Sequence, residues 1–227
     1  MAAERTSAQR FAVGFSGGSG ITYGLRLVEV LLAAGHEVHL TATTAARRVI
    51  VHEAGLAASV EQVDLGSLFP APLREHLRVH ALDEVAAAPA SGSARFAATI
   101  VVPCSMGTLA RIAHGFSSNL VERAADVAIK EGRPLVVVPR ETPLSVLHLE
   151  NMLRLAKLGV IVLPAMPGFY HRPLAVADLV DFVVGKVLDR IGVDHDLVRR
   201  WQTPPSPPSP PSPPAPPTSP WDEGEGA

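Results

Sequence analysis

Residues 12–31 read AVGFSGGSGITYGLRLVEVL, and Gly14-Phe15-Ser16-Gly17-Gly18 has the G-x-S-x-G spacing of a hydrolase nucleophile elbow. The same apolar strand, Ser/Gly turn and amphipathic helix would equally cradle a phosphate. A helix start offers unpaired N–H groups and the positive end of the helix dipole. Position argues against the nucleophile. A hydrolase elbow follows several strands, one of which supplies the oxyanion loop, with the acid and the histidine later. Here Ser16 closes the first strand, and Asp194 and His195 stand side by side near the far end. A dinucleotide turn fits poorly as well. Counted from Gly18-x-Gly20, the third glycine is due where Tyr23 stands, and Gly24 comes one position late. The next strand ends in Thr41-Ala42-Thr43, with no acid for a ribose hydroxyl. No G-K-[ST] follows, so the turn is not a P-loop. What remains is a site for a mononucleotide phosphate, and flavin mononucleotide (FMN) is its natural occupant.

The elements that must position this turn follow from periodicity. Short apolar runs predict strands over 11–15, 37–42, 98–103, 135–139 and 160–164, and helix-period segments predict helices over 20–34, 44–54, 107–114, 118–131, 144–157 and 175–191. Apolar strands without polar alternation, separated by helices, imply an α/β fold: a doubly wound, Rossmann-like or flavodoxin-like parallel sheet with helices on both faces. Ligands then bind at the carboxyl ends of the strands. Three further turns share that edge: Thr43-Thr44, the run from Pro103 to Thr108, and the run from Pro139 to Thr142. Each places hydroxyls and free N–H groups at a helix start, and four such turns on one edge exceed what capping requires.

Composition bounds the rest. The chain has 227 residues, 47% of them hydrophobic, enough for one sizeable core. A formal charge of −2 gives no field favouring nucleic acid or an anionic membrane. No run is long and apolar enough for a transmembrane helix, and MAAERTSAQR shows no apolar signal region, so a cytoplasmic location is expected. The single cysteine, Cys104, excludes a disulfide framework and fits a reducing compartment. Residues 85–95 read as a loop. After Trp201 the composition shifts abruptly, with 11 of the 21 prolines in the last stretch. The expected organisation is a flexible 1–10, one domain over 11–201, and a Pro/Ser-rich disordered tail over 202–227.

Five segments together resemble the UbiX-like flavin prenyltransferases, within the wider flavoprotein family that includes FMN-dependent cysteine decarboxylases. They are SGGSGITYGLRLVEVL, VVPCSMGTLARIAHG, NLVERAADVAIKEGRPLVVVPRETP, LHLENMLRLAKLGVIVLPAMPGFYHRP and DLVDFVVGKVLDRIG. The resemblance covers 11 to about 201. It implies transfer of a dimethylallyl group from dimethylallyl phosphate to reduced FMN, without a metal, giving prenylated FMN for a UbiD-like decarboxylase. It also implies a homo-oligomer, a dodecamer, with sites between subunits. The nine histidines show no H-E-x-x-H motif, in keeping with metal-independent chemistry.

The resemblance assigns residues as follows. Gly17, Gly18, Ser19 and Thr43 match the FMN-binding turns, Ser105, Met106, Gly107 and Thr108 a second flavin loop, and Arg140 an FMN-contacting arginine. The family commonly has Thr where Met106 stands. Arg123, Lys130, Arg140, Tyr170 and Lys186 match the group that holds the prenyl phosphate, with Trp201 beside it as an aromatic surface. Such a cationic set neutralises the departing phosphate as carbocation character develops. Lys186 replaces a usual arginine, which keeps the charge but loses the planar fork. Ser19, Glu53 and Glu141 match the residues that move protons. Two alternatives share the fold: a cysteine decarboxylase and a non-catalytic flavin-binding partner protein. The run from Pro103 to Thr108 departs from the decarboxylase pattern Pro-Ala-Ser-Ala-Asn-Thr, and retention of Glu53, Glu141 and Lys130 argues against a passive carrier.

Overall fold

The computed structural model describes residues 8–57 and 59–198. Six parallel strands form one sheet in the order β3-β2-β1-β4-β5-β6. They are β1 (Arg10–Phe15), β2 (Glu37–Ala42), β3 (Leu77–Val79), β4 (Ala98–Cys104), β5 (Leu135–Pro139) and β6 (Ile161–Val162). The helices are α1 (Ile21–Ala33), α2 (Thr44–Glu53), α3 (Met106–Ala113), α4 (Leu120–Lys130), α5 (Val146–Lys157) and α6 (Val176–Ile191). This is the doubly wound order, with β1 and β4 adjacent at the centre where the winding reverses.

The continuous apolar strands are explained by a core on each face. Phe11, Val13, Phe15, Ile100, Val102, Val136 and Val138 join α1, α2 and α6 in one cluster. Val101, Cys104, Leu135 and Val137 join α3, α4 and α5 in the other. Alternate side chains thus go to opposite faces and both faces are dry. Gly24 sits where α1 crosses the sheet, and a Cβ there would lie 2.6 Å from both Phe15 Cε1 and the Val102 carbonyl oxygen. It does the close helix–strand packing expected of a third glycine, one position late.

Two strands differ from expectation. The run 160–164 yields only Ile161–Val162 as strand, because Pro164 has no N–H to donate; Leu163 and Ala165 still donate to Val137 and Pro139 of β5. The three-residue edge strand β3 was not expected, since Leu77-Arg78-Val79 is too short to show a period. The 85–95 stretch is irregular, as expected, and packs Ala87 and Ala90 against Leu120 at the start of α4. The Pro-rich tail over 202–227 lies outside the described residues. No helix among the described residues is long and apolar enough to cross a membrane.

Candidate functional site

Because every strand pair is parallel, the turns after β1, β2, β4 and β5 all emerge on one edge, and hydrogen bonds stitch them together there. Ser16 is the central knot. Its Oγ accepts from Ser105 N at 2.7 Å and donates to the Pro103 carbonyl at 3.0 Å, while its own N–H donates to that carbonyl at 3.2 Å. The residue is 0% exposed. A hydroxyl so committed is a structural cross-link between the turns of β1 and β4, not a nucleophile. Thr43 N donates to Phe15 O at 3.0 Å, and its Oγ1 caps α2 by accepting from Ala46 N. Ser105 caps α3 and donates to Thr108 Oγ1 at 3.1 Å.

Around the first turn three of the expected residues meet. Gly20 (φ 95°) leads into α1 with no side-chain cap of its own. The Glu53 carboxylate, carried in by the end of α2, receives Gly20 N at 3.1 and 3.0 Å and Ile21 N at 2.9 Å. Arg140, from the turn after β5, donates from Nε to the Ser19 carbonyl at 3.3 Å. Desolvation raises the Glu53 carboxyl pKa, but bonds from Ser19, Gly20 and Ile21 and the charge of Arg140 outweigh it, so the group is held below the ordinary carboxylate range. Glu141 follows Arg140 and is exposed; its carboxylate accepts from Thr142 N at 3.1 Å and its carbonyl from Thr142 Oγ1 at 2.8 Å. Arg140, Glu141, Met152 and Met166 line a cleft between the turns after β5 and β6.

A second group forms on the α6 side. The Tyr170 ring meets the buried Phe182 ring edge-on at 5.7 Å, and Lys186 Nζ stands 5.6 Å from the centre of the same ring. Arg123 and Lys130 do not join either group within one protomer. Arg123 is on α4, whose core residues belong to the opposite face of the sheet, and pairs with Asp126 at 3.0 Å. Lys130 ends α4 just before the chain enters β5, so it lies at the amino edge of the sheet, beside Gly92 and paired with Glu131. Met106, 6% exposed, turns its side chain into the α3–α5 core, so only its backbone is available at the edge. Trp201 lies outside the described residues.

The flavoprotein family model matches residues 2–188. The flavin prenyltransferase UbiX of Halalkalibacterium halodurans is 50% identical over 191 residues, covering 84% of this chain and 92% of that protein. The chain belongs to the UbiX family of flavin prenyltransferases. Among solved structures, a dodecameric FMN-dependent UbiX-like decarboxylase from Escherichia coli O157:H7 superposes with a TM-score of 0.75 at 42% identity, covering 86% of this chain and all of that one. A UbiX protein in complex with FMN and dimethylallyl pyrophosphate superposes with a TM-score of 0.75 at 36% identity, covering 86% and 98%.

The edge of this UbiX-family sheet is chemically suited to a flavin phosphate. Gly18 is buried, and a Cβ there would come within 3.3 Å of Pro103 and 3.5 Å of Ser105 N, so the glycine lets the turn after β1 pack closely on the turn after β4. Gly107 is exposed with open space beside it, and α3 offers no internal partner to the Met106 and Gly107 N–H groups. Three neighbours of the site escaped the reading of motifs. Tyr23 packs its ring over Gly20 close enough to Arg140 to feel its charge. Phe182 is the platform shared by Tyr170 and Lys186. His171 stacks on Phe182 at 5.3 Å, and both its buried ring nitrogens have no hydrogen-bond partner among the described residues. All three carry signals of an ordinary core and become visible only once the fold assembles them. Cys104 is 0% exposed and burial pushes its thiol pKa far up, which makes it inert.

Proposed function

We propose that this protein joins the dimethylallyl group of dimethylallyl phosphate to N5 and C6 of reduced FMN, giving prenylated FMN for a UbiD-like decarboxylase. The observation that carries the reading is the convergence of Ser19, Glu53 and Arg140 on one turn at the switch point of the sheet, in a chain of this family. Bound reduced FMN supplies the nucleophilic positions. Gly17, Gly18, Ser19, Thr43, the Ser105–Thr108 loop and Arg140 hold it, through backbone N–H groups and short hydroxyls. Tyr170, Lys186 and Arg140 hold the prenyl phosphate and balance its charge as it leaves. Ser19, Glu53 and Glu141 move the protons that bond formation at N5 and C6 releases. The protein acts in the cytoplasm.

Arg123 and Lys130 reach this site from neighbouring copies. The sheet and its amino edge keep them from it within a protomer, and α5 leaves Val146, Leu147, Leu149 and Leu153 exposed as a face for a second copy. A closed homo-oligomer, a dodecamer like that of the Escherichia coli relative, assembles the cationic set. Anaerobic incubation with reduced FMN and either dimethylallyl monophosphate or pyrophosphate, without metal, tests the reading. Mass spectrometry is expected to find a flavin heavier by one dimethylallyl unit. Unmodified FMN with both donors would overturn it, and a decarboxylated cysteine substrate would replace it with the cysteine decarboxylase alternative.

A further inference from the structure

The turn after β1 enters α1 as a dinucleotide-binding turn does, yet its anion position is already filled. A helix leaves its first N–H groups unpaired, and in doubly wound sheets the pyrophosphate of a dinucleotide takes those of the first helix. Here Gly20 N and Ile21 N both donate to Glu53, at 3.0 and 2.9 Å to the same oxygen, Oε2. The Ser19 hydroxyl bonds the same carboxylate, and this bond, the two backbone N–H groups and the charge of Arg140 together hold it below the ordinary carboxylate range. Glu53 is no local cap: it stands 33 residues beyond Gly20 and is delivered by the end of a different helix. The donors a nucleotide phosphate would use are therefore spent, and a phosphate arriving there would face a fixed negative charge.

We infer that Glu53 is a selectivity residue that plugs the dinucleotide position at α1 with the protein's own carboxylate. It thereby confines the flavin to one phosphate at the other helix starts of this edge and excludes FAD and other dinucleotides. The inference rests on the flavin-binding reading above. Two features of the chain agree with it independently. β2 ends in Thr41-Ala42-Thr43, without the acid that would hold a second ribose, and α3 begins with donors its own helix leaves unpaired at the exposed Gly107.

Titration calorimetry of FMN, FAD and ADP against the full-length protein, Glu53→Gln and Glu53→Ala decides it. Gln keeps an oxygen for the two N–H groups without the charge, so it separates charge from plug. Wild type is expected to bind FMN about a hundredfold more tightly than FAD. Glu53→Ala should hold FMN within about threefold while FAD and ADP tighten about tenfold, with Glu53→Gln between. Unchanged FAD and ADP affinities in either variant that keeps its native circular dichroism would overturn the inference, as would a wild type that binds FAD as tightly as FMN. A wild type that binds neither flavin overturns the functional reading instead. ADP contains no flavin, so a tighter ADP complex in Glu53→Ala would still support the role of Glu53.

Discussion

Ser16 and Ser19 stand three residues apart and do opposite work. Ser16 spends its hydroxyl on Ser105 N and Pro103 O in the dry centre of the edge. Ser16→Ala leaves a buried N–H and a carbonyl without that partner and should cost about 1–3 kcal/mol in a urea titration. Ser19 is exposed, so Ser19→Ala should stay within about 0.5 kcal/mol of wild type while slowing prenyl transfer. The opposite pattern, a stable Ser16→Ala and an unstable, active Ser19→Ala, would reverse the assignment. Glu53 carries a pH signature. Its folded pKa is depressed below the ordinary value of about 4.5, so its contribution to stability is complete above that value and is lost as pH falls through the folded pKa. Wild type should melt above Glu53→Gln at neutral pH, and the two should converge in acid. Melting temperatures that stay parallel on acidification would remove the carboxylate from the α1 start. None of this pairing shows in the local sequence. Gly20 and Glu53 are separated by a helix, a strand and most of another helix, and only resemblance pointed to Glu53. The glycines and hydroxyls of the turn, by contrast, announce their chemistry where they stand.

At the scale of elements, Gly24 decides between two forces of opposite sign. Helix propensity alone favours alanine over glycine in a helix interior by about 1 kcal/mol. The contacts say otherwise, because the new methyl would fall 2.6 Å from a backbone carbonyl in β4 and from the Phe15 ring. Overpacking against an immovable neighbour costs about 1–3 kcal/mol. Gly24→Ala should therefore lower the unfolding free energy measured in urea; a gain would show that α1 can lift off the sheet cheaply. The same balance explains which elements were legible. β2 and β5 occupy their expected spans, and the six helices lie within or one residue beyond theirs, because strand runs such as LVVVP and helix stripes such as Ile21, Leu27, Val28 and Leu31 are buried on a fixed period. β3 and β6 pair on one side only and run three and two residues, too few for a period to register. Between α2 and β4, apart from β3, the chain forms short helical turns whose positions depend on what they cover, and no local pattern encodes that.

At the scale of the whole molecule, one protomer does not bring together the cations proposed to hold the prenyl phosphate. Tyr170 and Lys186 gather on Phe182 and Arg140 reaches Ser19, whereas Arg123 lies on the opposite face and Lys130 at the opposite edge. α5 has one fully buried residue, Leu155, and an outward apolar stripe, as expected of a helix that finishes its burial against another copy. The proposed arrangement is a site shared across an interface, and subunit mixing can read it. Lys130→Ala and Arg140→Ala should each assemble normally and each lose most prenyl transfer. When the two are co-expressed and assemble at random, a site that takes Lys130 from one copy and Arg140 from another is intact in about a quarter of cases, by the combinatorics of a symmetric assembly. If one chain supplied both residues, every site in the mixture would carry a defect and no activity would return. Activity near a quarter of wild type in the mixed oligomer, with mass by light scattering unchanged, is the expected result. Full activity in Lys130→Ala alone would take that residue out of the site.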